Sequence, residues 1–226
     1  MAQAALGRRI GRERVNSRPM LCLTEPTKAN WVEAALADLD SVLVDHAHCE
    51  MKAASNALSL AVRATQAPQV VSHLVSLAEE ELSHFRRVLA ELERRAIPLG
   101  PPPLDAYAAE LRKIVRAERA GVPSRTTPSS TVALVDRLLI AALIEARSCE
   151  RFRLLSDALR ERGPADLHVL YQELLAAEAR HFRTFVDLAH EVARPDDGWV
   201  EARLAVVARL EGELSSRLTG RPTIHG

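Results

Sequence analysis

The sequence predicts an all-α protein, a four-helix bundle with one long crossover connection and with extra short and C-terminal helices. Apolar residues recur at steps of three and four positions through four long segments, which is the period of an amphipathic helix. A motif also returns along the chain, since Glu-x-x-His-Phe stands at residues 81–85 and again at residues 178–182. The four segments therefore form two similar pairs, as an internal duplication would produce.

Proline and glycine separate the predicted helices. Pro68 suits the first turn of the second long helix. Gly163-Pro164 ends the third helix and begins the fourth, and Pro195 ends the fourth. The long helices are predicted over about residues 31–65, 68–96, 131–162 and 164–193, and a fifth, amphipathic helix is predicted over about residues 199–218.

The link between the two pairs spans some thirty residues. It begins in a Pro- and Gly-rich run at 98–103, contains a short predicted helix at about 104–118, and ends in a loop at 121–130. Neighbouring helices of an up-and-down bundle are joined by short links, whereas a link of this length can return the chain to the opposite end of the bundle. One long crossover is the connectivity of ferritin-like bundles, so the predicted fold is ferritin-like.

Each predicted helix pair carries glutamate and histidine at matching heights. Glu50 and His84 lie 15 and 16 residues from the ends of the first interhelical turn, and Glu150 and Glu178 lie 13 and 14 residues from the ends of the second. In an antiparallel helix pair, equal distance from the turn means equal height along the bundle. The i, i+3 spacing of Glu-x-x-His also puts its carboxylate and imidazole on one helix face.

These residues predict a carboxylate-bridged site for two metal ions in the bundle core. Four carboxylates carry a charge of about −4, which two divalent ions neutralise. Carboxylate and imidazole donors suit iron or manganese, and we favour iron. The alternative, surface charges with ordinarily hydrogen-bonded histidines, does not explain the duplication or the inward phase. The predicted metal ligands, which are also the predicted catalytic residues, are Glu50, Glu81, His84, Glu150, Glu178 and His181.

Further polar residues on these helices could support the ligands. His46 lies one turn before the first predicted ligand and could be its partner or an additional ligand. Asp45 and Glu145 could orient a ligand imidazole, or could form surface ion pairs or caps. Arg147 could neutralise the carboxylate cluster or face a substrate phosphate. Tyr171 is expected to be a core tyrosine with a satisfied hydroxyl group.

The composition indicates a globular protein without a membrane segment. The chain has 226 residues, 47% hydrophobic residues and zero formal net charge. No apolar run approaches the ~18 residues that a membrane span needs, and no apolar stretch follows the N-terminal arginines as in a secretory signal. Three cysteines make no disulfide framework. A cytoplasmic location is therefore expected.

The chain is expected to form one domain with two flanking segments. Residues 31–218 form the bundle, residues 1–30 form an N-terminal arm, and residues 219–226 form a frayed tail. The arm holds five arginines against Glu13 and Glu25. Such arginines are expected either to be solvated or to contact phosphate.

Four runs around the predicted ligands resemble the MiaE-type tRNA hydroxylases. The similarity extends over about residues 31–218. It implies a non-haem di-iron monooxygenase that hydroxylates the isopentenyl side chain of 2-methylthio-isopentenyladenosine next to the anticodon of tRNA. The six predicted ligands would then hold two iron ions (Fe²⁺/Fe³⁺), with O₂ as co-substrate. The runs are Asp-His-Ala-His-Cys-Glu-Met-Lys-Ala-Ala (45–54), Glu-Glu-Leu-Ser-His-Phe (80–85), Ile-Glu-Ala-Arg-Ser-Cys-Glu-Arg-Phe (144–152) and Glu-Ala-Arg-His-Phe (178–182).

The same resemblance implies two partners. The anticodon loop of tRNA would be the substrate, and an external ferredoxin or reductase would supply electrons, because the sequence has no flavin or NAD fingerprint. No membrane partner is expected. Aromatic residues make up only 4% of the chain, so few rings are available to stack on a base.

Other functions could use the same bundle. A rubrerythrin-like peroxidase, a ferritin-like iron store or a di-manganese catalase would have a similar ligand set. A helical tRNA- or protein-binding module would hold structural metals and have no activity. A peroxidase would turn over hydrogen peroxide without tRNA, and a storage protein would assemble into a large cage, so both differ measurably from a hydroxylase.

Overall fold

The structure, a computed structural model, describes residues 20–102, 106–123, 127–195, 198–217 and 221–225. These ranges are helical and contain no β-strand, which confirms the predicted all-α class. None of the helices within them is long and apolar enough to cross a membrane. The helices are α1 (Asn30–Ala37), α2 (Leu39–Arg63), α3 (Pro68–Arg94), α4 (Ala106–Ala117), α5 (Ser129–Arg162), α6 (Ala165–Ala193) and α7 (Trp199–Ser215).

The four long helices form a bundle of two hairpins. α2 packs mainly on α3, and α5 packs mainly on α6, while contacts of α2 with α5 and of α3 with α6 join the two hairpins. The long link between α3 and α5 contains α4, which packs on α5 and α7. This pairing and the single long connection confirm the predicted ferritin-like bundle.

The first predicted helix is two helices in the structure. Asp38 separates α1 from α2 with φ −145° and ψ 66°, and its carboxylate accepts a hydrogen bond from the backbone N–H of Ser41 at 3.1 Å. An aspartate that caps the next helix in this way ends the previous one. The prediction of one continuous helix over 31–65 was therefore wrong at this point, whereas Pro68 does stand in the first turn of α3.

Two apolar clusters fill the bundle, one towards each end. One cluster includes residues 57–64 of α2 and 134–146 of α5, and the other includes residues from 42–47 of α2 and 152–159 of α5. The predicted ligand heights fall between the two clusters on each long helix. Apolar side chains therefore enclose the middle of the bundle from both ends.

α5 is surrounded by other helices on nearly every side. It contacts α1, α2, α4, α6 and α7, and buried residues occur all around its circumference. A helix in this position has no single polar face. Its two glutamates near the centre, Glu145 and Glu150, are both buried for this reason.

The described part of the C-terminal tail, residues 221–225, is packed against the bundle. Ile224 is fully buried. Its N–H donates to Oδ2 of Asp45 at 2.6 Å, and its carbonyl oxygen accepts from Nη1 of Arg151 at 2.6 Å. The prediction of a frayed tail was wrong for these residues, because an apolar side chain and its backbone groups find partners in the bundle. The rest of the predicted tail lies outside the described residues.

The described end of the predicted N-terminal arm, residues 20–30, also contacts the bundle. Leu23 is buried in the apolar cluster, and Thr27 hydrogen-bonds the carboxylate of Glu150. This end of the arm therefore forms part of the packed domain. The five arginines of the arm lie outside the described residues.

We expect Ile224→Ala to lower the free energy of unfolding by about 2–4 kcal/mol, because it removes a buried side chain from a packed site. Urea unfolding of the full chain measures this change. Val62→Ala on α2 is the control, since Val62 is 76% exposed. Equal effects of the two substitutions would show that the tail is not packed in solution.

Candidate metal centre

Two helices bring four of the predicted ligands together at the centre of the bundle. Glu81 and His84 lie on α3, and Glu178 and His181 lie on α6. One donor atom from each of the four side chains lies within 4.8 Å of the others, and all four are buried. The i, i+3 spacing on each helix produces this convergence, because residues three apart share a helix face.

Both imidazoles turn Nδ1 towards the carboxylates. Nδ1 of His181 lies 2.8 Å from Oε1 of Glu81, and Nδ1 of His84 lies 3.4 Å from Oε2 of the same residue. The Nε2 atoms face the other way, towards Glu80, at 3.1 Å from His181 and 3.9 Å from His84. The Nδ1 atoms are therefore the donors available to a metal ion, and Glu80 is placed to orient both rings.

Glu50 extends the cluster from α2. Its Oε2 lies 3.7 Å from Nδ1 of His84, while its Oε1 lies 2.6 Å from Nε2 of His46. His46 is fully buried, and its ring packs against Phe152 and Tyr171 at centroid distances of 4.8 and 5.3 Å. His46 thus holds the Glu50 carboxylate in place and does not itself join the cluster.

Glu145 supplies the fourth carboxylate, from α5. It is 5% exposed, and its carboxyl group hydrogen-bonds that of Glu178. The charges of Glu50, His84 and His181 also influence the pKa of Glu145, so its carboxyl group lies close to the other charged groups of the cluster. The sequence suggested Glu145 only as a residue that might orient a ligand, so its place in the cluster was missed.

The structure does not bring Glu150 to the cluster, which corrects the predicted ligand set. Its carboxylate accepts hydrogen bonds from Oγ1 of Thr27 at 2.6 Å, from the N–H of Thr27 at 3.1 Å and from Nη1 of Arg147 at 2.5 Å. Glu145 and Glu150 are five residues apart, so they point about 140° away from each other on a helix with 3.6 residues per turn. Only Glu145 can face the bundle axis.

The sequence contained a signal for this choice. Positions seven residues apart lie on nearly the same side of a helix. Among the residues spaced seven apart that include Glu145, the others are apolar, which indicates that this side of α5 faces the core. The corresponding set that includes Glu150 has three carboxylates, which is typical of a side that does not face the core. The two series are Leu138, Glu145, Phe152 and Leu159 against Asp136, Leu143, Glu150 and Asp157.

Burial and mutual repulsion favour the protonated form of most of these carboxyl groups when no metal is bound. Burial, then the charges of Glu145 and Glu81, raises the pKa of Glu178 well above its ordinary value. Burial, then the charge of Glu145, raises the pKa of Glu81 to about 7. Burial likewise raises the pKa of Glu145. Burial would also raise the pKa of Glu50, but the imidazoles of His46 and His84 beside it hold that pKa below its usual value.

The imidazoles respond to the same carboxylates in the opposite sense. Burial by itself would lower the pKa of His84, but its contacts with Glu50 and Glu81 raise that pKa to about 10. Burial opposes protonation of His181 as well, yet its contact with Glu81 raises the pKa of His181 to about 9. Protons on these rings therefore supply positive charge in a metal-free protein.

The donor set fits a metal centre. Glu81 Oε2, Glu178 Oε1, His84 Nδ1 and His181 Nδ1 are buried and make no hydrogen bond of good geometry with the described residues, although His181 Nδ1 lies 2.8 Å from Oε1 of Glu81. Buried polar atoms normally have a partner, so a group of them facing one point needs an explanation. Metal coordination provides it, and mixed carboxylate and imidazole donors suit iron or manganese.

Three of the predicted supporting residues differ in the structure from what the sequence suggested. Asp45 accepts from the backbone of Ile224 and does not orient an imidazole ligand. Arg147 is fully buried between Glu150 and Glu211, so it neither faces a substrate nor contacts the cluster. The Tyr171 hydroxyl, expected to be satisfied, is buried with no hydrogen-bond partner in the described part of the chain.

The chain is similar to a family of tRNA-modifying proteins. A family model described as tRNA-(MS[2]IO[6]A)-hydroxylase (MiaE) matches residues 16–226. A tRNA 2-(methylsulfanyl)-N(6)-isopentenyladenosine(37) hydroxylase of Pseudomonas putida is 40% identical over 189 residues, which cover 84% of this chain and 84% of that protein. A protein of the same name from Salmonella typhimurium is 34% identical over 146 residues, which cover 65% of this chain and 47% of that protein.

A solved structure is similar over nearly the whole chain. It is described as Protein 43 with aldehyde deformylating oxygenase activity, from Synechococcus. The TM-score is 0.76 and the sequence identity is 37%, with 90% of this chain and 95% of that chain covered.

We expect Glu145→Gln to reduce the metal content of the protein and Glu150→Gln to leave it unchanged. Glu145 faces the buried cluster, whereas the Glu150 carboxylate is occupied by Thr27 and Arg147. Inductively coupled plasma mass spectrometry of the purified, iron-loaded proteins measures the number of ions per chain, about two for the unaltered protein. Loss of metal from the Glu150 variant alone would reverse the assignment.

Stability should depend on pH in opposite ways with and without metal. The pKa of Glu81 rises from 4.5 to about 7, and those of His84 and His181 rise from 6.5 to about 10 and about 9. The folded metal-free protein therefore holds protons that the unfolded chain releases, so its unfolding free energy falls as pH rises from about 5 to 10.

Metal ions replace these protons, so the metal-bound protein should gain stability over the lower part of the same range. Thermal unfolding at pH 5, 7 and 9, with chelator and with excess Mn²⁺, measures both dependences. Mn²⁺ avoids the oxidation of ferrous ion during the scan. Identical pH profiles in the two conditions would contradict metal binding at these residues.

Proposed function

The chain belongs to the MiaE family of tRNA hydroxylases, and we propose that it hydroxylates the isopentenyl side chain of 2-methylthio-isopentenyladenosine next to the anticodon of tRNA. The observation that carries the proposal is the buried group of four carboxylates and two imidazoles at mid-bundle. Such a group suits two redox-active metal ions and has no evident purpose in a binding module.

Two iron ions are the proposed cofactors. The charge of four carboxylates, about −4, matches two divalent cations, and the absence of a thiolate among the donors argues against a structural zinc site. Hydroxylation requires a strongly oxidising metal centre, and this requirement supports iron rather than manganese. The proposed ligands are Glu50, Glu81, His84, Glu145, Glu178 and His181.

Glu81 and Glu178 would hold the metal ions together with the imidazoles of both helices. Oε1 of Glu81 faces the imidazole of His181 and its Oε2 faces the imidazole of His84, at 2.8 and 3.4 Å. Glu178 stands in a related position, with Oε1 3.9 Å from Nδ1 of His84. Each carboxylate thus reaches the imidazole of the other helix, which supports one shared metal centre built from α3 and α6.

The reaction has a simple overall balance. One atom of O₂ is inserted into a C–H bond of the isopentenyl group, and the other leaves as water after the uptake of two electrons and two protons. The iron pair would supply O₂ activation, a chemistry that amino-acid side chains cannot provide. The structural neighbour is described as having aldehyde deformylating oxygenase activity, which supports O₂ as the oxidant.

The protein's own residues would position the ligands and exclude water. His46 holds Glu50 from behind, and Glu80 faces the outer nitrogens of both ligand imidazoles. The two apolar clusters, one on each side of the carboxylate and imidazole group, keep bulk water out of the bundle. A dry site strengthens the electrostatic interactions within it and protects a strong oxidant from side reactions.

Electrons must come from a separate protein. The sequence contains no flavin- or dinucleotide-binding fingerprint, so a ferredoxin or a reductase is the proposed donor. The proposed substrate is tRNA, which supports the cytoplasm as the place of reaction. A peroxidase remains the alternative if no tRNA product forms, because it would use the same cluster without either partner.

Expression of this chain in a bacterium that makes 2-methylthio-isopentenyladenosine but lacks the hydroxylase tests the function. We expect tRNA nucleosides analysed by mass spectrometry to show a product heavier by one oxygen. Glu178→Gln should abolish it while the protein remains folded, because the variant loses a charged ligand. Glu173→Gln, at a position on α6 whose side chain is 58% exposed, is the matched control.

Each negative result has a separate meaning. An unchanged nucleoside profile with the unaltered protein, supplied with a compatible reductase, would disprove the proposed substrate. Full hydroxylation by the Glu178→Gln variant would disprove the ligand assignment while leaving the substrate intact.

A further inference from the structure

A cavity opens beside the metal centre, between α2, α4 and α5. The space inside it that the centre of a water-sized molecule can occupy is about 80 Å³, and the cavity is open to solvent on one side. Glu145 lines it, so the cavity reaches one of the carboxylates of the cluster. The wall contributed by α5 is apolar and includes Ile140, Ala141 and Ile144, and Ala108 of α4 faces it. A small apolar group could therefore lie next to the metal ligands.

The outer part of the cavity is basic. Lys52 of α2, Arg112 of α4 and Arg137 of α5 line it together with the apolar residues. A groove along α4 and α5 continues outward from Arg112, Arg137 and Ile140, and it adds Lys113 and Arg116. Among the described residues that line this groove one is acidic, Asp136, and it is already bound by Arg203 at 2.7 and 3.0 Å. The groove therefore carries excess positive charge.

The arginines at the mouth of the cavity are close enough to repel one another. Burial, then the charges of Arg63 and Arg112, lowers the pKa of Arg137 from its ordinary value. Within the described ranges, neither Arg112 nor Arg137 has an ion pair with a carboxylate, although the chain as a whole has equal numbers of acidic and basic residues. Such a local excess of cations attracts phosphate.

An apolar interior with a basic mouth matches a prenylated nucleotide within an RNA strand. The apolar depth suits a five-carbon isopentenyl group, and the cationic mouth suits the phosphates on either side of the same nucleotide. Bases of a single-stranded loop can be splayed out of their stack into such a pocket. The lining residues that the structure describes include no aromatic ring, so their planar guanidinium groups are the surfaces offered for base stacking.

We propose that this cavity takes up the isopentenyl-adenosine side chain and that Arg112 and Arg137 bind phosphates of the anticodon loop. The assignment rests on the proposed hydroxylation of tRNA and adds the surface through which tRNA approaches. Ile140 and Ile144 then form the wall that holds the prenyl group beside Glu145. The basic groove along α4 leads the RNA backbone away from the cavity.

Charge-reversal variants test the binding surface. Arg112→Glu and Arg137→Glu are each compared with Arg160→Glu, which makes the same charge change on α5 at an exposed position. Arg160 is 23 residues from Arg137, about 35 Å along the helix. Dissociation constants for prenylated tRNA, measured by filter binding at several salt concentrations, should rise about tenfold or more for the first two variants only, with a smaller salt slope.

A second pair of variants tests the apolar wall. Ile144→Phe should narrow the cavity and lower the rate of hydroxylation at saturating tRNA by about tenfold or more, with tRNA affinity and metal content unchanged. Ile144→Leu conserves the side-chain volume and should retain most of the rate. Equal rates for the two variants, at normal metal content, would overturn the assignment of this wall.

The results separate this inference from the proposed function. If the unaltered protein forms no hydroxylated nucleoside on tRNA, the proposed function fails. If it does form the product and the arginine variants bind tRNA no more weakly than Arg160→Glu, the function stands and the binding surface is overturned. If the arginine variants also lose activity on the free prenylated nucleoside to the same extent as on tRNA, phosphate binding by these residues is overturned.

Discussion

The burial of four glutamates at one level of a helical bundle is the constraint on which the rest of the structure depends. Like charges in a medium of low dielectric constant repel each other, and each also loses its hydration. Protons on carboxyl groups and imidazoles relieve the repulsion in the metal-free protein, and two divalent cations would relieve it fully. The apolar clusters at both ends of the bundle hold the helices together across this unfavourable centre.

The orientation of α5 follows from a second buried polar group on its other side. Arg147 contacts Glu211 of α7 through Nε at 2.9 Å and through Nη2 at 2.8 Å, and contacts Glu150 through Nη1. Tyr107 of α4 donates its hydroxyl hydrogen to the same Glu211 at 2.7 Å. Removal of any member would leave buried charge without a partner. This network fixes the rotation of α5 and thereby turns Glu145 towards the metal centre.

The long crossover contributes to function as well as to connectivity. It packs α4 on α5 and α7, where Ala108 and Arg112 complete a cavity that the four long helices do not enclose by themselves. Apolar residues lie deep in this cavity and cations lie at its mouth. The same segment therefore separates the metal centre from solvent and provides the charged surface proposed for tRNA.

The sequence by itself determined the helical class, the two hairpins and the paired Glu-x-x-His motifs. These features depend on local helical geometry, in which residues three and four apart share a face. It also indicated four of the six proposed ligands through those motifs, and Glu50 through its height on α2.

The tertiary structure decided what local periodicity cannot express. The choice of Glu145 over Glu150 depends on the rotation of a helix that is buried on all sides, and this rotation is set by contacts with α7 and the N-terminal segment. The packing of Ile224 likewise depends on partners more than 70 residues away along the chain. Such contacts arise between distant segments, so a pattern within one helix can favour one side of α5 but cannot record the contacts that set its rotation or the packing of the tail.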